Sequence, residues 1–355
     1  MINLYIVSLE PNSGKTALCL ALGLHYKNKG VRVKYMKPVG TLSLARGEMV
    51  SWDSLFIKEK LGLEEPVEAL NAVSLSPDSY EAMLAKPKGF WVDKVLTAHK
   101  KLDSGDGLML LEGGRNLTQG YGLGLSASQI APLLDAKVLL VAGYQPDLAF
   151  DEILEAYEHL KPRLIGVIIN RVPQGLTKPV SDTMTRVLAR YQIPVTGIIP
   201  EDSLLSSITV NELAEILGGE VICAREECDN LVENFAVGAM NTDQALSYFR
   251  RIPRKAVITG GDRPDIQIAA LETDTRCLIL TGNLYPTAAV LNQAAIQRVP
   301  VIIVSASTME VVSKVDEVMG HLRLRHQNQL DRLMEIIERQ QPALREFSRS
   351  LGLPV

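Results

Sequence analysis

The chain has 355 residues, 46% of them hydrophobic and 22% charged, and its formal net charge is -4. This composition excludes a disordered or fibrous protein, and the length favours two domains of ordinary size. The acidic balance gives no reason to expect a nucleic-acid partner, and no apolar run approaches the roughly 20 residues that cross a bilayer, so we expect no membrane partner.

The N-terminal residues 1–8 predict a strand and not a targeting segment, because they contain no basic region and no small-residue cleavage site. We therefore expect a cytoplasmic protein. The cysteines form no Cys-X-X-Cys pair, and in a reducing compartment they are predicted to be small core residues. They are Cys19, Cys223, Cys228 and Cys277.

Short apolar runs alternate with amphipathic stretches, which predicts an α/β fold with repeated βα units around a mostly parallel sheet. In the first half the predicted strands are residues 4–8, 31–36, 108–111, 137–142, 164–170 and 195–199. Residues 40–101 form a long, irregular connection, in which we expect helices beside a site. A polar, turn-rich segment after Ile199 predicts the end of this first domain.

Gly14, Lys15 and Thr16 stand between the first predicted strand and a predicted helix over residues 17–29. This succession is typical of a P-loop, in which backbone amides and the positive helix end surround phosphates. Lys15 would reach the outer phosphates, Thr16 would bind Mg²⁺, and Gly14 would let the backbone approach an anion. The predicted nucleotide contacts are Asn12, Ser13, Gly14, Lys15, Thr16 and Ala17. The alternative is an ordinary strand-to-helix turn with Lys15 on the surface, since Leu9 stands where a glycine usually opens the loop.

Two carboxylates are candidates for the metal side of the same site. Glu112 ends the apolar strand 108–111, so it would project from the carboxyl edge of the sheet, where doubly wound folds place their ligands. Asp53 is the second candidate, although it could instead be a helix N-cap. Because Mg²⁺ takes oxygen ligands, Thr16, Asp53 and Glu112 are the predicted metal site.

Lys37 follows the predicted strand 31–36 at the same edge, and with Lys15 it is the predicted catalytic pair. The alternative is a solvated loop lysine. Asn170 and Arg171 close the predicted strand 164–170. The Asn170 amide either reads an adenine edge or caps the next turn.

These motifs, in this order over residues 1–205, resemble dethiobiotin synthetase and its relatives. The resemblance implies that Lys15 and Thr16 bind ATP phosphate and Mg²⁺, with the metal site completed by Asp53 and Glu112. It also implies that Lys37 contacts a carbamate on the substrate and that Asn170 reads the base. The chain lacks the synthetase's Gly-Thr-Asp-Thr at the loop opening and differs from it after Glu112-Gly-Gly. Ligation of carbon dioxide to a diamine is therefore one alternative among several.

The second half predicts strands at residues 255–259, 277–280 and 301–304, each followed by a loop of small polar residues. If these strands are parallel neighbours, the three loops meet at one edge and could bind an effector. The predicted effector residues are Gly260, Gly261, Asp262, Arg263, Thr281 and Asn283. The alternative is purely structural, with a helix start at Pro264 and an N-cap at Ser307 or Thr308.

Residues 258–271 and 280–283 are similar to the DRTGG domain, and this order of domains resembles the N-terminal regulatory region of long phosphotransacetylases. No acetyl-transferring domain follows in the sequence, so we expect no phosphate acetyltransferase activity from this chain by itself. The predicted domains are a nucleotide-binding domain over 1–205, a DRTGG domain over 206–320 and a C-terminal helix over 321–355.

The predicted C-terminal helix carries apolar residues on a seven-residue repeat, which could pack on its own domain or on a second chain. They are Leu330, Leu333, Ile337, Leu344, Phe347 and Leu351. Pro342 would kink a continuous coiled coil, so a homo-oligomer is one of two options.

Three functions are compatible with the sequence. The first is an ATP- and Mg²⁺-binding regulatory protein that couples nucleotide binding to an effector or a protein partner at the DRTGG domain. The second is an ATP-dependent ligase of the dethiobiotin synthetase or cobyrinic acid a,c-diamide synthase type. The third is an interaction module with an inactive phosphate loop.

Overall fold

The computed structural model describes residues 1–41, 43–45, 48–75, 81, 85–320, 324 and 326–355. The chain forms two compact units, of which unit 1 comprises Met1–Glu201 with Leu330–Val355 and unit 2 comprises Asp202–Gln329. Both are α/β, as predicted. Among the described residues, no helix combines the length and apolar character needed to cross a membrane.

The first part of unit 1 alternates strands with helices. In chain order these are β1 (Ile2–Ser8), α1 (Lys15–Asn28), β2 (Val33–Thr41), β3 (Ser43–Ala45), β4 (Glu48–Val50), α2 (Trp52–Leu61), α3 (Val67–Leu70), β5 (Asn71–Leu75), α4 (Phe90–Leu102), β6 (Leu108–Glu112), α5 (Ala127–Leu133), β7 (Lys137–Gly143), α6 (Phe150–Leu160), β8 (Leu164–Val172), α7 (Thr177–Leu188) and β9 (Val195–Pro200).

The rest of the chain continues this alternation and ends in helices. In chain order these are β10 (Ile208–Thr209), α8 (Val210–Leu217), β11 (Glu220–Cys223), β12 (Leu231–Val232), β13 (Asn234–Val237), α9 (Thr242–Phe249), β14 (Lys255–Gly260), α10 (Pro264–Leu271), β15 (Thr275–Thr281), α11 (Ala288–Gln297), β16 (Val301–Ile303), α12 (Thr308–Gly320), α13 (Gln327–Arg339) and α14 (Gln341–Leu351).

The main sheet of unit 1 has the order β5-β2-β6-β1-β7-β8-β9, and every neighbouring pair is parallel. The six strands predicted for this half are confirmed. β6 is buried along its whole length, as expected for a parallel strand with helices on both faces. Because the strands are parallel, the ends of β1, β2, β6 and β8 lie at one edge of this sheet.

Unit 2 contains a smaller sheet of order β11-β16-β15-β14-β13, in which only the β11–β16 pair is antiparallel. The three strands predicted for this half are therefore confirmed as parallel neighbours. One face of the sheet packs on α8 and α12, through residues such as Leu213 and Val311, and the other on α9, α10 and α11, through residues such as Phe249 and Ile266. The loops after β14, β15 and β16 consequently lie together.

The apolar stripe near the C-terminus packs within unit 1. Its six residues are all buried, and Leu344 and Phe347 line the same apolar crevice as Leu18 of α1 and Ile168 of β8. The helix is not continuous, because α13 ends at Arg339 and α14 begins at Gln341 with Pro342 in its first turn. The stripe thus packs on its own domain, and a homo-oligomer stays a prediction.

Candidate functional site

The predicted phosphate loop lies between β1 and α1. The first backbone hydrogen bond of α1 runs from Leu18 N to Gly14 O at 3.0 Å, so the amides of residues 15–17 precede the helical series. Gly14 has a φ of 95°, and a Cβ at this position would lie 2.4 Å from Asn170 Nδ2. The loop therefore presents main-chain donors at the positive end of a helix, which is the arrangement of an anion site.

The Lys15 side chain is buried beside this loop, with 8% of its surface exposed. Its Nζ donates to Ser8 Oγ at 2.5 Å, and Ser8 Oγ donates to the Glu10 carbonyl oxygen at 2.7 Å. Burial lowers the pKa of Lys15 to about 8, although attraction to Glu112 opposes this shift. The alternative of a surface lysine is therefore wrong, and an ammonium held this close to the loop suits a phosphate ligand.

Glu112 is the centre of the charged network at the end of β6, and it is only 1% exposed. Its Oε1 accepts hydrogen bonds from Thr16 Oγ1 at 2.9 Å and from Lys37 Nζ at 2.8 Å. Its Oε2 accepts a hydrogen bond from Tyr35 OH at 2.9 Å. Three donors thus fix the carboxylate at the carboxyl edge of the sheet, directly beside the first turn of α1.

Lys37 lies within β2, which is longer than predicted, and the side chain is buried. It forms ion pairs with both Asp53 and Glu112. Burial acts to lower the pKa of Lys37, but the two carboxylates outweigh it and raise the pKa above its usual value, so the side chain stays charged. The alternative of a solvated loop lysine is therefore wrong.

Asp53 lies in the first turn of α2, whose N-cap is Ser51. The sequence left open that Asp53 is itself the N-cap, and this alternative is wrong because the helix begins at Trp52, two residues earlier than it requires. The Asp53 side chain is 44% exposed and its carboxylate accepts a hydrogen bond from Lys37. The carboxylate thus belongs to the network and is partly exposed to solvent.

The donor atoms at this edge suit a hard cation. The Asp53 and Glu112 carboxylates both contact Lys37 Nζ, and the Thr16 hydroxyl donates to Glu112. Mg²⁺ prefers oxygen ligands of this kind. In the described part of the chain, no group of three or more His, Cys, Asp and Glu side chains could hold a metal. A cation here would therefore depend on Asp53, Glu112 and Thr16 together with phosphate oxygens of a bound nucleotide.

Asn170 lies near the phosphate loop, and both polar atoms of its side-chain amide form hydrogen bonds within the protein. Its Nδ2 donates to the Ser13 carbonyl oxygen at 2.7 Å, and its Oδ1 accepts from Arg171 N at 2.9 Å. Arg171 has a positive φ of 59°. The structure thus joins the end of β8 to the phosphate loop through Asn170, and the reading of a base by Asn170 and Arg171 stays a prediction.

Sequence reasoning missed Tyr35 as a member of the site. It lies two residues before Lys37 on β2, and side chains two apart on a strand share a face. Burial, reinforced by the neighbouring Glu112, raises the pKa of Tyr35, so its hydroxyl remains a donor. The alternation of side chains along a strand could have revealed this role, because it places Tyr35 on the same face as Lys37 and therefore near any carboxylate that Lys37 contacts.

The loops of unit 2 meet as predicted. Gly261 N donates to Thr281 O at 3.4 Å, and Thr281 Oγ1 lies 2.8 Å from Thr308 Oγ1. Asn283, after β15, donates its backbone N–H to Val304 O at 2.9 Å. The three loops are therefore one cluster at the carboxyl edge of this sheet, which is where open α/β sheets bind ligands.

Much of this cluster holds its own backbone together. Arg263 donates to both Asp265 oxygens and to Met240 O, and Gln267 donates to Gly260 O at 2.8 Å. Asp262 precedes the helix α10, which begins at Pro264 with proline in its first turn. The structural alternative for these residues accounts for their main contacts, and their binding of an effector stays a prediction.

The helix start predicted after β16 is also present. Ser307 N donates to Glu310 Oε2 at 2.7 Å, and Ser307 Oγ accepts from Glu310 N at 3.4 Å. This reciprocal pair is a capping box for α12, so Ser307 is the N-cap of the two candidates.

Comparison with known proteins agrees with both halves of the chain. Residues 3–209 match the model of a family described as an AAA domain, and residues 212–318 match the DRTGG domain. The phosphate acetyltransferase of Nitratidesulfovibrio vulgaris is 24% identical over 359 residues, covering 95% of this chain and 50% of that protein. The chain therefore spans about half the length of this relative.

Two further proteins are similar to the first half alone. The ATP-dependent dethiobiotin synthetase BioD of Methanococcus vannielii is 23% identical, and the match covers 55% of this chain and 92% of that protein. The MinC:MinD cell division protein complex of Aquifex aeolicus is 18% identical with a TM-score of 0.36, covering 58% of this chain and 84% of that chain. The sequence resemblances to dethiobiotin synthetase and to the N-terminal region of long phosphotransacetylases are confirmed. The chain belongs to the AAA domain family, of the BioD-like P-loop type, and carries a DRTGG domain after it.

Proposed function

We propose that this chain is an ATP- and Mg²⁺-binding regulatory protein of the phosphotransacetylase N-terminal type. The observation that carries the proposal is the network of Thr16, Lys37 and Glu112 at the start of α1, with the buried Lys15 ammonium beside it, near enough for Glu112 to affect its pKa. The proposal includes the cytoplasmic location expected from the sequence.

In this proposal the nucleotide phosphates take the place that Ser8 Oγ now has as acceptor for Lys15 Nζ. The amides of residues 15–17 bind the same phosphates, because the helix end is positive. Thr16, Asp53 and Glu112 hold Mg²⁺, which supplies positive charge that neutralises the phosphate oxygens. Asn12, Ser13 and Ala17 complete the loop contacts, and Asn170 with Arg171 borders the base.

The regulatory half of the proposal assigns an effector or a protein partner to the cluster formed by residues 259–263 and 281–283 of unit 2. Support comes from the meeting of three loops at the edge where α/β sheets bind ligands. ATP binding in unit 1 would then change the stability of this cluster, since coupling between two sites requires that one ligand alters the conformational free energy at the other.

Hydrogen exchange tests the coupling directly. We expect ATP with Mg²⁺ to slow amide exchange in residues 10–18 and also to change exchange in residues 259–263 and 281–285. Lys15→Ala is the matched control, because it should lose both effects together. If ATP protects residues 10–18 and leaves unit 2 exchange unaltered, the nucleotide binds without regulating, and the coupling is wrong.

The second candidate is an ATP-dependent ligase, favoured by the position of the Lys37 ammonium. It is buried at the carboxyl edge between Asp53 and Glu112, and the resemblance to the synthetase assigns its counterpart to the substrate's carbamate. Phosphate release from ATP, measured with and without a diamine acceptor and bicarbonate, separates the two functions. Release that depends on the acceptor favours the ligase, whereas tight binding with little release under both conditions favours regulation.

A further inference from the structure

The Lys37 ammonium occupies a particular place in the network. It forms ion pairs with Asp53 and with Glu112 Oε1, and the same Oε1 accepts the hydrogen bond from Thr16 Oγ1. These three groups are the ones that the proposed function assigns to the divalent cation. The Lys37 ammonium therefore lies among the oxygen ligands of the expected metal.

Lys37 and a divalent cation exclude each other at this position. An ion bound to both carboxylates would lie within a few ångströms of the ammonium, and like charges at that distance repel strongly in a buried site. Glu112 Oε1 also accepts from Thr16 and its Oε2 from Tyr35, so beside Lys37 the carboxylate has little capacity left for a second cationic partner. The metal can enter only if the Lys37 side chain leaves.

We propose that Lys37 is a built-in substitute for the divalent cation, which holds the metal ligands in place while the protein is free of nucleotide and moves away when phosphates offer it other anionic partners. The inference rests on the proposed function only in assigning Asp53 and Glu112 to the metal. It makes metal binding conditional on nucleotide binding.

Replacing the charge tests this competition without any nucleotide. Mn²⁺ is a suitable probe because it shares the oxygen ligands and octahedral geometry of Mg²⁺ and is observed directly by electron paramagnetic resonance. In nucleotide-free protein we expect Lys37→Met to bind Mn²⁺ at least tenfold more tightly than the wild type. Adding Glu112→Gln to Lys37→Met should remove the gain, since it deletes one of the two carboxylates.

The chain offers a matched control on the same strand. Lys34 also lies on β2 and forms an ion pair with Glu65, outside the network. Lys34→Met removes a similar charge from a similar pair and should leave Mn²⁺ affinity at the wild-type value. Lys37→Arg keeps the charge and should also bind Mn²⁺ weakly. If Lys37→Met does not fold, Lys37→Gln takes its place, because its amide can still donate to one carboxylate.

Two results would overturn the inference. One is an equal Mn²⁺ affinity of the wild type and the neutral Lys37 variants, and the other is an equal gain in Lys34→Met. Neither depends on nucleotide, so both are distinguishable from a failure of the proposed function, which would appear as absent ATP binding by the wild type.

Discussion

At the carboxyl edge of unit 1 the charged side chains of Lys37 and Glu112 pair with each other, whereas at the corresponding edge of unit 2 Arg263 pairs with Asp265 and also donates, as Gln267 does, to a main-chain carbonyl. A ligand can replace a side-chain partner without disturbing the fold. It cannot replace a main-chain contact so easily, because that contact positions the loop itself. The first edge is therefore organised for exchange of partners and the second for holding its loops.

The glycines at the two edges differ in the same way. A Cβ on Gly14 would meet the side-chain amide of Asn170 at 2.4 Å, but a Cβ on Gly261 would lie 2.0 Å from the backbone oxygen of Leu284. A side chain can move aside, whereas a backbone carbonyl moves only with its loop. Glycine at position 261 thus permits two loops to pack, and this role has no bearing on whether an anion binds.

The largest expected effect is that of Lys15→Ala on ATP binding. Removing the ammonium deletes a charge-assisted hydrogen bond to phosphate, and we expect the ATP dissociation constant to rise roughly 100-fold, about 3 kcal/mol. Isothermal titration calorimetry measures it. Lys34→Ala, on β2 but outside the network, should leave ATP affinity unaltered. An ATP titration that is the same for Lys15→Ala and the wild type would contradict the phosphate site and, with it, the contrast between the two edges.

The sequence predicted six of the seven strands of the unit 1 sheet and three of the five in the unit 2 sheet, because parallel strands covered on both faces are continuous apolar runs, as in residues 108–111. It missed three edge strands, which are β5, with only three buried residues within the irregular connection 40–101, and β11 and β13 of unit 2. Part of that connection, including residues 76–80, lies outside the described residues. Patterns of burial thus predict central strands better than edge strands.

The site was predictable as a set of residues, but its pairing was not. In the sequence Lys37 follows a predicted strand, Glu112 ends one and Asp53 stands at a possible helix start, and topology can bring such residues to one edge. Lys37 is separated from Asp53 by 16 positions in the sequence and from Glu112 by 75. Whether such distant side chains pair depends on the tertiary structure, and local sequence spacing carries no information about it. The ion pairs that occupy the expected metal site could therefore be seen only in the structure.

A smaller effect is expected from Gly261→Ala, which should lower the stability of unit 2 by about 2 kcal/mol because the loop after β15 must shift. Urea unfolding can be followed in unit 2 by the chemical reactivity of the buried thiol of Cys277. Gly218→Ala is the control, since its φ is 63° but nothing lies within 4 Å of the added Cβ. Its cost should be about 1 kcal/mol. If Gly261→Ala costs no more than the control, the close packing of these loops does not determine stability.

The smallest expected effect concerns a buried lysine of unit 2, at the opposite end of its sheet from the loop cluster. Lys255 begins β14, and its Nζ donates to Thr273 Oγ1 at 2.8 Å and to Asp274 O at 3.0 Å. Burial lowers the pKa of Lys255 to about 8, as it does for Lys15. No carboxylate oxygen is among its hydrogen-bond acceptors in the described part of the chain, so its charge is only partly offset.

The pH dependence of this lysine follows from its lowered pKa. In the unfolded chain the lysine keeps its proton up to about pH 10.4, whereas in the folded chain it loses the proton near pH 8. Folding stability therefore rises with pH between about 8 and 10.4. Below pH 8 the folded protein bears the full cost of burying the charge. Lys255→Met should therefore stabilise unit 2 by about 1 kcal/mol at pH 7, after the loss of two hydrogen bonds. This advantage should shrink toward pH 9.5, measured by the same thiol reactivity in urea, whereas the exposed Lys314→Met should show no such trend. A difference between Lys255→Met and the wild type that is constant with pH would mean that the lysine stays charged when folded. In that case burial, which we hold responsible for the low pKa of Lys15 as well, would be a weaker influence in both units than we infer.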